Sequence, residues 1–426
     1  MWYFLKIILI LVFILNFSET KANTLLESLS SAYLNNPKLN AERASLRAAK
    51  EESREAVGTF LPSITLSGYV GETENTNPGE DTNFRPSEQS ITVEQKFFQG
   101  FKGVANLKKK KYGYILAESK LKKVEQETLL DAVKAHVGLI LSKKKLDINL
   151  MNIDLLERQV ETDQNRLEKG EINLTDLAQS ESSLAGARAK FIAAQNDLVT
   201  SKANFEKIIG KKAPVNIKEI QNINLNLPES LSTAYSISNS ENPNLQIALL
   251  EYKQSKLDVT IARSKLSPTA TLSYKVAEQD NISATVKDRT QQIITATATW
   301  PLFAGGSNLS NLRKNQELRN QKELLLQDSK TSNKTNVANV WSSYQSSKSV
   351  LESIKSQVNA AEIANEGITL EYESGNSRTT LEVIQSRAIL LDSRINLASS
   401  ERNFFVSQFN LLSAVGRLTS KQLNLK

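Results

Sequence analysis

Cysteine is absent from the 426-residue sequence, and histidine occurs once, as His136. The absence of cysteine excludes disulfides, thiolate metal sites and an acylated N-terminal cysteine. His136 lies on an apolar helical stripe with Ala132, where a packed or groove-lining side chain is the favoured interpretation. A zinc site needs three or four converging ligands, and the sequence has neither a Gly-rich phosphate loop nor partners for a Ser/His/Asp set. We therefore predict neither an enzyme nor a bound cofactor or metal.

Aromatic residues are also scarce, at 6%, and the chain has only 16 glycines and 9 prolines. With so few aromatic residues, a large globular core is not expected, and the low glycine and proline content favours long helices. The net charge of +7 is spread along the chain. Basic runs at 108–111 and 143–145 contain no interleaved aromatic residues, so we interpret them as solvated helix faces and predict no nucleic-acid partner.

Long apolar runs are missing except near the N-terminus. A lysine precedes the apolar run 7–15, and residues 20–22 (Thr-Lys-Ala) offer a small-residue cleavage site. This pattern predicts a secretory signal peptide over residues 1–22. A membrane anchor is the alternative, but the run is shorter than the ~20 residues that a spanning helix needs. We expect an exported chain whose membrane contact does not use apolar helices.

Sequence landmarks of the first half return in the same order in the second half. Asn36-Pro37 returns as Asn242-Pro243, and Pro62 returns as Pro268, a shift of 206 residues in each case. A period this long indicates a duplicated domain and not a solenoid, whose repeats span about 20–50 residues. The predicted organisation is a first repeat, a linker, a second repeat and a C-terminal tail, over 23–210, 211–227, 228–418 and 419–426.

Each repeat contains two segments in which apolar and polar residues alternate. These segments are 61–70, 89–98, 269–276 and 294–300. Their length suits the ~9–11 residues of a tilted membrane strand. A half-buried soluble sheet would alternate in the same way, and the predicted export signal favours a membrane barrel. The segment 71–88 carries Asn, Asp, Gly and Pro, and we predict a loop there.

Long proline-free segments follow the strands at 103–169 and 306–374. Apolar residues recur along them at heptad-like spacing, which is typical of coiled-coil packing and not of a globular core. Gly170 and Gly375 are suited to end these helices, so that each returns as a helical hairpin. Four strands cannot close a barrel, and exposed strand edges are not tolerated in lipid. Closure therefore requires a dimer with eight strands or a trimer with twelve, continued by a tube of helices.

Three motifs then connect the chain to a known family. They are WPLFAGG at 300–306, YESG at 372–375 followed by LEVI at 381–384, and FNLLSAVG at 409–416. In this order, and with the duplication, they resemble the TolC-type outer-membrane efflux proteins over essentially the whole mature chain. Because cysteine is absent, the resemblance is to the unlipidated branch of that family.

The resemblance implies an α+β membrane protein, in which a long α-helical coiled-coil barrel continues a transmembrane β-barrel. A homotrimer with four strands per chain would form both parts. It implies a passive exit duct in the cell outer membrane, with a long periplasmic helical part, for multidrug efflux, type I protein secretion or both. The implied partners are an inner-membrane transporter (an ABC or proton-driven pump), a periplasmic adaptor protein and outer-membrane lipid.

The resemblance also implies a gate at the periplasmic end. In the family, an Asp in the first-half hairpin bonds a Tyr in the second-half hairpin, and an Arg bonds a neighbouring Thr. The matching residues are Thr175, Asp176, Tyr372 and Arg378.

Acidic rings line the entrance in the family. Glu382 matches one ring, whereas Gln385 replaces the acid of the second, so cation binding there is left open. Arg378, Glu382 and Gln385 share one helix face. The alternative is an Arg378–Glu382 ion pair on a solvated face, which contributes little.

Two other classes of function stay open at this point. A periplasmic coiled-coil adaptor or structural tether would carry a helical hairpin, but it would not duplicate a unit with two membrane-length strands. An exported enzyme would need the missing catalytic constellation. The identity of the cargo, drugs or polypeptides, is not predicted by the sequence.

Overall fold

The computed structural model describes residues 24–77, 80–214, 217, 223, 225–283, 286–374 and 378–425. The predicted signal peptide over 1–22 and the predicted helix-ending Gly375 lie outside the described residues. The long helices predicted over 103–169 and 306–374 are both present.

The elements of the first repeat are α1 (Leu25–Asn35), α2 (Pro37–Gly58), β1 (Ser63–Val70), β2 (Thr73–Asn77), β3 (Glu80–Phe84), β4 (Ser87–Gln99), α3 (Lys102–Glu168) and α4 (Leu174–Ile209). Those of the second repeat are α5 (Leu231–Glu241), α6 (Pro243–Ser264), β5 (Thr269–Ser283), β6 (Val286–Thr299), α7 (Ser307–Glu373) and α8 (Thr380–Val415).

The duplication is visible in the helix lengths. Helices α1 and α5 both have 11 residues, and α2 and α6 both have 22. Helices α3 and α7 both have 67 residues, and α4 and α8 both have 36. Matching polar contacts accompany these lengths: the Ser142 and Ser201 hydroxyls lie 2.7 Å apart, and their counterparts Ser347 and Ser407 lie 2.9 Å apart.

The helix ends follow from local sequence. Helices α4 and α8 begin with capping boxes, in which a polar N-cap side chain and an acid three residues later satisfy each other's backbone N–H groups. Both helices end at a glycine in the left-handed region, Gly210 with φ 74° and Gly416 with φ 86°. Glycine adopts this conformation without a Cβ penalty, so it stops the helix at that point.

A four-stranded antiparallel sheet has the strand order β1-β4-β5-β6. Its register aligns one apolar row across all four strands, formed by Ile64, Val93, Tyr274 and Ile294. The row beside it is polar and is formed by Ser63, Glu94, Ser273 and Thr295. The alternation predicted from the sequence therefore becomes two chemically distinct faces.

Two predictions about the strands need correction. The segment 71–88 is not only a loop, because β2 and β3 pair there as an antiparallel ribbon. Strands β5 and β6 extend well beyond the predicted 269–276 and 294–300. Their added residues are largely polar, and backbone pairing between them does not require a buried apolar face, so no alternation marks it in the sequence.

The described chain separates into two compact units, each of which draws on both repeats. One unit comprises Ala41–Leu121 and Pro243–Ser332 and contains the sheet. The other contains Lys122–Asn242 and the chain from Asn333 onward, together with the residues up to Asn40. None of the helices in the described part of the chain is both long enough and apolar enough to span a membrane.

The second unit has its main apolar core between α1, α3, α4, α8 and the C-terminal tail. Its fully buried members include Leu29, Val133, Phe205, Phe409 and Leu418. His136 lies beside this core, 1% exposed, with its Nδ1 atom 2.9 Å from the Ser28 hydroxyl. Burial lowers the pKa of His136 to about 4, so the ring is neutral and acts as a packed core residue.

Candidate entrance site at the helical hairpins

The candidate site lies where α3 turns into α4 and α7 leads to α8. After α3, Gly170 takes φ 73°, and the Glu171 N–H bonds the Arg166 carbonyl oxygen at 2.9 Å. This is a Schellman arrangement, which closes the turn without a Cβ clash. The turn between α7 and α8 includes residues 375–377, which lie outside the described residues. All predicted gate and ring residues are described.

Asp176 is the third residue of α4 and closes its capping box. Its carboxylate accepts the Asn173 N–H at 3.3 Å, while its own N–H donates to the Asn173 side chain at 3.0 Å. The neighbouring Thr175 is exposed. Both residues therefore sit at the very start of α4, with the Asp176 carboxylate engaged by the local backbone.

Arg378 is bound within its own hairpin. Its guanidinium donates to Glu371 at 2.6 Å and to Glu382 at 3.0 Å. The Glu382 carboxylate also accepts the Thr379 N–H at 2.8 Å. The hydrogen bond from the Thr379 N–H is the largest cause that holds the pKa of the Glu382 carboxyl below its usual range, and the hydrogen bond from Arg378 is the next. The simple Arg378–Glu382 pair that was considered as an alternative is thus present, and its exposure means that it contributes little stability.

Gln385 is exposed on the first turns of α8, on the same face as Glu382. It carries no charge, so Glu382 is the one acidic side chain of the two predicted ring positions.

Tyr372 is the buried member of the predicted set, at 5% exposure. Its hydroxyl donates to Asp163 Oδ1 at 2.9 Å and lies 3.1 Å from the Thr380 hydroxyl. The Arg166 guanidinium carbon lies 4.6 Å from the centre of the Tyr372 ring. Burial raises the pKa of Tyr372, and the bond to Asp163 adds to this effect, so the hydroxyl keeps its proton and acts as a donor.

The resemblance implied that Tyr372 bonds Asp176, and the structure does not bring these two side chains together. The Asp176 carboxylate instead caps α4, while Asp163 on α3 reaches the Tyr372 hydroxyl. The acceptor for Tyr372 in this chain is therefore a residue that the sequence analysis did not single out.

Asp163 is fully buried, at 0% exposure, and collects donors from three helices. The Ser180 hydroxyl donates to its Oδ2 atom at 2.5 Å, and the Gln159 amide donates to its Oδ1 atom at 2.9 Å. Tyr372 supplies the third donor. The sequence signal was available, because Asp163 continues at helical spacing a stripe of α3 whose members Ile153, Leu156 and Gln159 are all buried.

Arg387 on α8 lies in the electrostatic field of this carboxylate. Burial lowers its pKa, against the opposing effects of Glu373, Asp163 and Tyr372. Its Nη1 atom is buried and has no hydrogen-bond partner among the described residues. Within the described ranges, no three His, Cys, Asp or Glu side chains converge in a way that could hold a metal ion. The chemistry of the site is therefore hydrogen bonding and charge, arranged between helices.

Comparison with known proteins gives the site its context. A family model described as "Outer membrane efflux protein" matches the chain twice, over residues 28–211 and 234–417. The outer membrane efflux protein BepC of Brucella suis biovar 1 (strain 1330) is 26% identical over 411 residues, covering 95% of this chain and 88% of BepC. The outer membrane protein TolC of Escherichia coli (strain K12) is 21% identical over 420 residues, covering 95% of this chain and 85% of TolC.

Solved structures agree with these matches at the level of the fold. The crystal structure of the Campylobacter jejuni CmeC outer membrane channel aligns with a TM-score of 0.85 at 12% identity, covering 94% of this chain and 87% of that one. The two family matches are also offset by the same 206 residues that separate the sequence landmarks, which confirms the duplication. The chain belongs to the outer membrane efflux protein family.

Proposed function

We propose that three copies of this chain assemble into an outer-membrane channel that acts as a passive exit duct, with a long helical part in the periplasm. The observation that carries this proposal is the four-stranded sheet with its apolar face and its two unpaired edges. The family membership established above supports the same conclusion.

The edges of the sheet make assembly necessary in lipid. Among the residues that the structure describes, strands β1 and β6 are each paired on one side only. An unpaired edge costs several kcal/mol for each unsatisfied backbone group in hydrocarbon, so the sheet has to close. Because the four strands are antiparallel throughout, β6 of one copy meets β1 of the next in antiparallel orientation. Three copies give twelve strands in one closed ring.

The two faces of the sheet suit the two environments of such a barrel. Leu66 and Ile294 expose 77% and 74% of their surface on the apolar face, which suits lipid. The polar face carries an ion pair between Glu88 and Lys275, with Gln279 also bonded to Glu88 at 2.7 Å. Charged and hydrogen-bonded side chains belong on the water-filled side.

The hairpins of α3 with α4 and of α7 with α8 would narrow the periplasmic end. In the assembly, Arg378, which lies just before α8, would reach Thr175 or Asp176 of a neighbouring hairpin. Glu382 from three chains would form a ring of carboxylates that favours cations, and Gln385 would add a neutral ring beside it. Opening then requires a docking partner that moves the hairpins apart.

The proposed partners are an inner-membrane transporter and a periplasmic adaptor protein. The chain has the features of a conduit, so the transporter would supply the energy and select the cargo, whether small molecules or polypeptides. No part of the proposed role requires a cofactor.

The test is reconstitution of the purified protein in planar bilayers, with native mass spectrometry on the same sample. The expected results are a trimer, recovery in the outer-membrane fraction and discrete single-channel currents. A soluble periplasmic monomer without conductance would overturn the proposal and favour an adaptor or tether.

A further inference from the structure

We infer that the latch between the two hairpins of one chain is built around the buried Asp163, and not around Asp176. This inference rests on the proposed channel function. We use the name Asp163 cluster for the carboxylate and its hydrogen-bonded neighbours Gln159, Ser180, Tyr372 and Thr380.

Hydrogen bonds connect all four helices of the two hairpins through the Asp163 carboxylate and the Tyr372 hydroxyl. Asp163 and Gln159 lie on α3, Ser180 lies on α4, and Tyr372 on α7 is bonded in turn to Thr380 on α8. The Tyr372 hydroxyl is the link between the first-repeat and second-repeat hairpins. Separating the hairpins therefore removes one of three donors from Asp163.

Burial makes that separation costly. Asp163 is fully inaccessible, and its described donors are neutral hydroxyl and amide groups. A buried carboxylate has to be hydrogen-bonded, because an unsatisfied charged group pays a large desolvation penalty. Without Tyr372, the cluster would have to admit water. The closed arrangement is thus the one in which the carboxylate is satisfied by the protein alone.

Two arginines lie beside the Asp163 cluster. Arg166 stacks on the Tyr372 ring, and Arg387 is partly buried with an unpartnered Nη1 atom among the described residues. Both guanidinium groups act on the cluster electrostatically. Neither forms an ion pair with Asp163 within the described ranges, so the hydroxyl of Tyr372 has no charged competitor for the carboxylate.

The duplication shows that this latch is specific to one hairpin junction. Because α3 and α7 have equal lengths, Ile368 occupies the position equivalent to Asp163, and Leu167 occupies that of Tyr372. The polar pair Asp163 and Tyr372 therefore corresponds to the apolar pair Ile368 and Leu167 when the two repeats are exchanged. In a ring of six hairpins, the polar pair Asp163–Tyr372 would lie at the junctions within chains, and Leu167 and Ile368 would occupy the equivalent positions at the junctions between chains.

The test is a double-mutant cycle on channel opening, measured as single-channel open probability and conductance of assembled trimers. Asp163→Asn and Tyr372→Phe should each favour opening by about tenfold or more, because the first removes the charge of the acceptor and the second removes the donor of the same charge-assisted hydrogen bond. Their effects should not add, because both changes act on that one bond. Asp154→Asn, an exposed position on the same helix with the same charge change, is the matched control and should leave opening unchanged.

The competing pair is tested in the same cycle. If Asp176→Asn couples with Tyr372→Phe while Asp163→Asn adds independently, the latch runs through Asp176 and the inference is wrong. If Asp163→Asn prevents assembly, Tyr372→Phe and Asp176→Asn are compared without it. Tyr372→Phe should still favour opening and should not couple with Asp176→Asn; an unchanged open probability, or coupling between these two changes, would overturn the inference. Absence of conductance in the unmodified protein would instead refute the proposed function.

Discussion

Asp176 and Glu382 are counterparts in the two repeats: each is the third residue of its helix and accepts the N–H of the residue that caps it. The distances are 3.3 Å from the Asn173 nitrogen and 2.8 Å from the Thr379 nitrogen. Only Glu382 has an arginine beside it, Arg378. The same structural position therefore serves helix capping in one repeat, and both capping and charge pairing in the other.

Glu382→Gln should lower the cation selectivity of the channel. Glutamine can keep the capping box, so the change isolates the lost charge. Arg378→Ser should raise cation selectivity, because it frees both Glu371 and Glu382 from their cationic partner. Reversal potentials in a salt gradient measure both effects. Gln385→Ala removes no charge and serves as the control, and equal reversal potentials in all variants would show that this ring does not face the permeating ions.

Tyr372→Phe together with Arg378→Ser should raise conductance and leave the trimer intact. The first change removes the hydroxyl that joins the two hairpins, and the second removes the only cation described between Glu371 and Glu382. Planar-bilayer recordings give the conductance, and native mass spectrometry gives the assembly state. Tyr344→Phe makes the same chemical change elsewhere on α7 and should have no effect. An unchanged conductance in an intact double variant would place the gate elsewhere.

Arginine on the apolar face of the sheet should impair membrane assembly. Leu66→Arg or Leu272→Arg should cost about 2–4 kcal/mol if the position lies near the bilayer midplane. Thr65→Arg and Thr271→Arg, one residue earlier on the polar face, are the matched controls and should be mild. The readout is the yield of trimer in the outer-membrane fraction. Equal yields from the two faces would contradict the barrel.

Acid should destabilise the protein through His136. Its folded-state pKa of about 4 lies below the ordinary value of 6.5, so the unfolded chain binds the proton more readily. The contribution of the neutral His136 to the free energy of unfolding is fully present above pH 6.5. It is lost as pH falls toward 4, by about 3 kcal/mol per chain. Thermal unfolding across this range measures it. His136→Gln should flatten the profile between pH 6.5 and 4, since the chain has one histidine, and an unaltered slope would exclude His136 as the cause.

Gly416→Ala should destabilise the protein more than Gly210→Ala, although the two glycines are counterparts. Both have positive φ, so a side chain costs roughly 1–3 kcal/mol of backbone strain at either site. At Gly416 an added Cβ would also clash with the Glu241 carbonyl oxygen, whereas at Gly210 the nearest atom is the Asn35 Cβ at 3.3 Å. Melting temperatures of the two variants provide the comparison. Similar decreases in melting temperature would mean that the Glu241 backbone moves aside at little energetic cost.

The features that the sequence predicts well are those that depend on local chemistry. The absence of proline marked α3 and α7, and Gly170 marked the end of α3. Alternation marked the apolar row through Ile64, because side chains in a strand point to opposite faces. Each of these signals acts within a few residues of the feature that it predicts.

The features that were missed depend on distant partners. Asp163 lies on a buried stripe of α3 next to another polar residue, Gln159, and its role is set by Ser180 and Tyr372, which lie on other helices. The β2–β3 ribbon is polar except for Phe84, so backbone hydrogen bonding forms it without an alternating hydrophobic signal in the sequence. The resemblance to the family pointed to Asp176 as the partner of Tyr372, whereas in the structure the Asp176 carboxylate caps α4 and Asp163 accepts the Tyr372 hydroxyl, a pairing that depends on packing between helices.

The equal lengths of the paired helices constrain how this chain can change in evolution. One residue inserted in α3 would advance everything beyond it by ~1.5 Å and rotate it by ~100° about the helix axis. Asp163 would then point away from Tyr372, and the helices of the two hairpins would no longer have matching lengths. Insertions and deletions in the long helices should therefore persist only when both copies gain or lose the same number of residues. The ribbon of β2 and β3 and its counterpart, the paired ends of β5 and β6 around Ser283 and Val286, lie outside the long helices, and relatives can vary in length there without this penalty.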